Sequence, residues 1–158
     1  MNDELRMTDL PASESDECSP EELAFWGFAS EQSREFMVAE DAPPIVYDLE
    51  ERTARFGERI ILFAKKIPWS PVNNRLIDQL VGAGTSVGAN YCEADDGVSR
   101  ADFKHRISIC RKEARESKFF LRMVSPAEPN LKPDARECWK EANSLHLIFS
   151  RIWRSTKL

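Results

Sequence analysis

The sequence predicts an all-α protein, an antiparallel up-down-up-down four-helix bundle with an acidic N-terminal extension. Three observations predict it. From Tyr47 onward, four segments carry apolar or small residues at alternating steps of three and four; each is bounded by proline or glycine; and the connections between them are short. A sustained seven-residue repeat packs near-antiparallel helices knobs into holes. Short connections then make successive helices neighbours. No strand-like alternation competes with this pattern.

Taken in order, residues 1–44 form the acidic extension, which is expected to be largely disordered at its start because its first eighteen residues are polar. Within it, Ser19-Pro20-Glu21-Glu22 reads as a helix start: a capping serine, proline at the first helical position and acids in the first turn. A short helix is expected from residue 20 to about 38, and Ala42-Pro43-Pro44 closes the extension.

Residues 45–158 form the bundle. Its first segment places Leu49, Thr53, Phe56, Ile60, Phe63 and Ile67 on one face and stops at Pro68. The second opens at Ser70-Pro71, runs through Leu76, Leu80, Ala83, Val87, Asn90 and Ala94, and ends at Gly97. The third begins at Ser99-Arg100-Ala101-Asp102, a capping box with Asp in place of Glu, and carries Phe103, Ile107, Cys110, Ala114, Ser117 and Leu121. The fourth follows Pro133 with Ala135, Cys138, Ala142, Leu145, Phe149 and Ile152.

The net charge of −5 hides an asymmetry. Residues 1–46 hold twelve acids and two bases, whereas residues 47–158 hold fifteen acids and twenty bases. A basic body behind an acidic arm leaves nucleic acid open as a partner. The longest apolar run, Ile60 to Ala64, is far too short for a membrane span. The residues after Met1 lack the apolar block of a secretory signal, and the four cysteines show no CxxC pair. A cytoplasmic protein with reduced thiols is the expectation.

The stretch Val81 to Glu93, VGAGTSVGANYCE, resembles a phosphate loop only superficially. No strand precedes it, the third glycine comes one residue late for a dinucleotide fingerprint, and no lysine follows for a Walker loop. Read as helix, it has no charge on any face between Asp78 and Glu93. Each glycine costs a helix about 1 kcal/mol relative to alanine, so the small residues need a reason. A back this small and apolar is expected to be covered. Two covers fit: a second subunit meeting Gly82, Gly84, Thr85, Gly88, Ala89 and Cys92, or the N-terminal segment of the same chain. Asn90 falls at a core position, where an amide fixes register or, alternatively, binds a ligand.

In the third segment, Lys104, Arg111 and Lys118 share heptad position e, and Arg115 and Arg122 share b, which together trace a basic edge. Lys112 lies at f beside Phe119, also at f, and Phe120 at g. Cations beside exposed aromatics are what phosphate neutralisation and base stacking require. The opposite reading is a solvated flank balanced by acids of a neighbouring helix or subunit. In the fourth segment Trp139, His146 and Trp153 form a ridge at position e, which offers a protein partner an alternative docking place. No catalytic residues, cofactor or metal site are expected. A di-metal bundle site needs Glu-x-x-His pairs, and neither His105 nor His146 has a Glu three residues before it.

Ile45-Val46-Tyr47-Asp48-Leu49, then Gln79-Leu80 through Ser86-Val87-Gly88-Ala89-Asn90 with Glu93, then Asp102-Phe103, resemble the bacterial four-helix bundle proteins, also called the 23S rRNA intervening-sequence protein family. The resemblance spans about residues 45–155. The segment Asn90-Tyr91-Cys92-Glu93-Ala94 departs from the Asn-Ile-Ala-Glu-Gly of many members, as a divergent branch would. It implies a bundle that assembles into homopentameric rings. Some members are encoded within insertions in 23S rRNA genes, and related accessory proteins of diversity-generating retroelements bind nucleic acid and a reverse transcriptase. It therefore implies self-association, and RNA or a nucleic-acid enzyme as partner.

Overall fold

The computed structural model describes residues 17–28 and 48–158, which fall into two units divided between Tyr47 and Asp48. Among the described residues every regular element is helical.

In the N-terminal unit, α1 spans Pro20–Phe25. Ser19 caps it as expected, its Oγ accepting from Glu22 N–H at 3.1 Å. This helical segment ends at Phe25. Gly27 adopts φ +75°, Gly27 N–H donates to Ala24 C=O, and Phe28 N–H reaches back to Leu23 C=O. That pair of bonds satisfies the last carbonyls and turns the chain out of the helix. The expected continuation to residue 38 lies outside the described residues.

In the second unit, α2 spans Leu49–Ala64, α3 Pro71–Asp95, α4 Arg100–Ala127 and α5 Lys132–Ser155, with a single 3₁₀ turn at Pro129–Leu131 before α5. Three of the four starts are capped by a side chain, and α5 follows the 3₁₀ turn at Leu131 without one. Asp48 Oδ1 accepts from Glu51 N–H, Ser70 Oγ from Asn73 N–H and Ser99 Oγ from Asp102 N–H, all within 3.1 Å. Each cap satisfies a donor that the first helical turn would otherwise leave open. Successive helices pack on one another, and α2 meets α5 to close the bundle. The heptad residues form the core: Phe56, Ile60, Leu80, Val87, Ile107, Cys110, Leu121, Leu145 and Phe149 are all essentially inaccessible.

The α2–α5 seam carries ion pairs at both ends. Arg52 forks onto Glu141, with Nε at 2.7 Å from Oε1 and Nη2 at 3.1 Å from Oε2, and adds Ser144 Oγ at 2.8 Å. Lys66 Nζ lies 2.8 Å from Asp134. The α3–α4 seam adds Arg106, which pairs with Glu93.

The α2–α3 seam explains part of the glycine stretch. A Cβ on Gly84 would lie 2.9 Å from both branch carbons of Ile60, and one on Gly88 would lie 3.3 Å from Thr53 Oγ1. From the other side, Gly57 of α2 comes up to the Thr85 backbone. The two helices are close because both are stripped at their contact. Gly84 is buried in this intrachain contact and does not face outward, a correction to its expected place at a subunit interface. Gly88 and Thr85 also lie along α2, whereas Gly82, Ala89 and Cys92 are exposed.

This division predicts opposite responses. Gly84→Val overfills the site against Ile60 and is expected to cost about 2–3 kcal/mol. Gly82→Ala meets nothing of its own chain and, measured where the chain is monomeric, is expected to stabilise by about 0.5–1 kcal/mol through helix propensity. Urea denaturation of the two variants checks this, and equal effects would refute the assignment.

Asn90 is half-buried and outside the core. Its Nδ2 donates to Ser86 C=O on its own helix at 2.9 Å, and its Oδ1 sits 3.5 Å from Arg106. The fully buried amide on α3 is Asn73, whose Nδ2 donates to Pro68 C=O at 2.9 Å and to Glu128 Oε1 at 2.7 Å.

Candidate nucleic-acid interface

The basic edge of α4 divides into an inner and an outer row. The inner row is taken up by α5. Lys104 Nζ donates to Thr156 C=O at 2.9 Å and lies 4.9 Å from the centre of the Trp153 ring. Arg111 sits 4.9 Å from the same ring. Lys118 is only 7% exposed, with its ammonium 5.1 Å from the Trp139 ring centre. A cation over an indole face is attracted by the ring quadrupole, most strongly when desolvated. Lys118 thus works inside the fold and is withdrawn from the expected nucleic-acid edge. The same contacts correct the expected protein-docking ridge, because Trp139 and His146 are buried.

Three cations set the electrostatics around His146. Burial first, then the charges of Lys118, Arg111 and Arg115, hold its imidazole well below the ordinary value of 6.5, at about 3. The ring is neutral throughout the physiological range.

The outer row is what α4 presents to solvent. Lys112 and Arg115 are exposed one turn apart, and Arg122 is half-buried two turns beyond Arg115. A shallow hollow is lined by Lys112, Arg115, Glu116, Phe119 and Phe120. Phe119 is 55% exposed, and Phe120 meets it edge to face, with centroids 5.4 Å apart and planes at 81°. Glu116 is the one acid in this lining; burial first, and then the charge of Glu116, raise the carboxyl of Glu113 above its usual range.

The other reactive groups are built into the fold. Cys110 Sγ lies 3.5 Å from Val87 C=O, and burial pushes its thiol up to about 12, far from a nucleophilic thiolate. Cys138 is shifted upward by burial too. Among the described residues, no three His, Cys, Asp or Glu side chains gather as a metal-binding group. Among the same residues, no helix is long and apolar enough to cross a membrane.

The bundle has a solved counterpart. A crystal structure of a protein of unknown function from the S23 ribosomal protein family, from Bacteroides thetaiotaomicron, matches it with a TM-score of 0.59 and 25% sequence identity. The match covers 67% of this chain and 98% of the other. No protein-family model matches the sequence, and no curated protein matches it significantly. The chain is therefore similar to an S23-family protein over nearly all of that protein, and the similarity leaves activity open.

The surviving outer row was legible in the heptad assignment, which placed Lys112 and Phe119 opposite the core. The capture of Lys104, Arg111 and Lys118 was missed, although a signal existed. Trp139, His146 and Trp153 carry the same heptad letter on the adjacent antiparallel segment, where like letters meet across the seam.

Proposed function

We propose that this protein is a non-enzymatic, cytoplasmic homo-oligomer, a pentamer as the family resemblance implies, that binds RNA or a ribonucleoprotein through the outer basic row of α4. The observation that carries the reading is the exposed pair Lys112 and Arg115 beside the half-exposed ring of Phe119. Exposed cations one turn apart neutralise neighbouring phosphates, and the S23 description of the structural relative favours RNA over other polyanions. The alternative, a protein-binding scaffold or adaptor without nucleic-acid activity, loses its docking ridge, since Trp139 is buried beneath Lys118.

Lys112→Glu with Arg115→Glu is expected to weaken RNA binding strongly and to reduce its salt sensitivity while leaving the helical signal unchanged. Losing two phosphate contacts lowers the slope of log affinity against log salt by about 1.4. Electrophoretic mobility shift over a salt series measures it. Unmodified protein that retains no RNA at low salt would end this reading.

Self-association uses the outer face of α3, where Gly82 and Ala89 are exposed and a Cβ on Gly82 meets nothing of this chain. Gly82→Arg with Ala89→Arg is expected to split the oligomer into folded monomers in sedimentation. An unmodified chain that already sediments as a monomer would refute the assembly.

A further inference from the structure

Phe119 is more than half exposed at the centre of the outer row, and a single exposed apolar side chain needs no explanation in itself. Three further features set this one apart. Phe120 is half-buried and props the Phe119 ring edge to face, so the ring is held outward. Arg115 lies one turn before it and Lys112 two turns before it on the same outer face, and both are exposed. Side chains at these helical spacings are neighbours, about 5–6 Å between Cβ atoms per turn. The three converge on one open hollow.

We infer that this hollow takes unpaired nucleic acid, with one base stacked on Phe119 and the adjoining phosphates on Arg115 and Lys112. The inference rests on the nucleic-acid reading above and narrows it to single strands. A duplex keeps its base faces inside its own stack and offers a protein only edges, sugars and phosphates. A propped ring flanked by cations adds nothing on such a surface, whereas a single strand presents a free base face to it. Every base has a π face, so the hollow is sequence-tolerant. Glu116 also lines the hollow, one turn from Lys112, and offsets part of that charge, which leaves Arg115 as the principal phosphate contact.

The test measures binding of the full chain at low salt by fluorescence anisotropy. The probes are an unstructured RNA about 15 nucleotides long, the DNA strand of the same sequence, and each strand annealed to its complement. Both single strands are expected to bind at least about ten-fold tighter than the duplexes. Phe119→Ala is expected to lower single-strand affinity by about ten-fold, and Phe119→Trp to restore it, with circular dichroism unchanged in both. Equal binding of single strands and duplexes, or an unaffected Phe119→Ala with binding still strongly weakened in Lys112→Glu/Arg115→Glu, overturns the stacking site and leaves the phosphate-binding reading standing. Failure of the unmodified chain to bind any probe overturns both.

Discussion

Trp139→Ala is expected to destabilise the bundle by about 3–5 kcal/mol, the cost of emptying a large aromatic site in a packed interior. Trp139 is 1% exposed, and the ammonium of Lys118 lies over its ring. The substitution therefore removes packing and also leaves a nearly buried cation without its aromatic face, which adds to the loss. Trp139→Phe keeps a ring under Lys118 and is expected to recover more than half of the stability. Equilibrium urea denaturation, followed by far-ultraviolet circular dichroism, measures both variants. A loss below about 1 kcal/mol for Trp139→Ala would mean that the side chain is a surface group, and the assignment of the inner cation row to the fold would fall with it.

The second large effect is a stability loss on acidification that originates at His146. The side chain is buried, and its imidazole is held at about 3 by burial and by Lys118, Arg111 and Arg115. In the unfolded chain it titrates near its ordinary 6.5. Below that value the unfolded state takes up a proton that the folded state refuses, so stability is complete above pH 6.5 and falls as pH drops towards 3. Between about pH 7.5 and pH 5 the loss amounts to about 2 kcal/mol. Glu113 acts in the opposite sense, because its carboxyl is shifted upward by burial and favours the folded state as it protonates. A non-titrating variant isolates the histidine. His146→Gln is expected to lose about 2 kcal/mol less than the unmodified chain over that interval, whatever its stability at neutral pH. Parallel losses in the two proteins would refute the mechanism.

Most of the fold was legible because its information is periodic. The four segments, the serine starts at Ser70 and Ser99 and the apolar stripes were readable from local spacing, whereas the Asp48 cap was not read. What was not legible was the identity of each residue's neighbour. Heptad letters place Thr85 opposite the core, yet α2 lies along it, because Gly57, Gly84 and Gly88 let those two helices approach more closely than a uniform bundle would. Likewise, a row of cations has the same spacing whether water or indole rings lie over it. Only the pairing of α4 with α5 decides that Lys118 is interior and Lys112 exterior. The end of α1 depended on Gly27, whose positive φ turns the chain out of the helix.

A seven-residue repeat has a weakness of its own: sliding one helix past another by a heptad, about 10 Å, restores nearly the same apolar contacts. The α2–α3 hairpin could slip in this way against the α4–α5 hairpin. Asn73 prevents it. Its amide holds the carbonyl of Pro68 in one turn and the carboxylate of Glu128 in the other, both at close range. A slip of one heptad would carry that buried amide beyond reach of Glu128 and break one of its two hydrogen bonds, at a cost of about 1 kcal/mol. The clasp thus gives a degenerate repeat one preferred alignment.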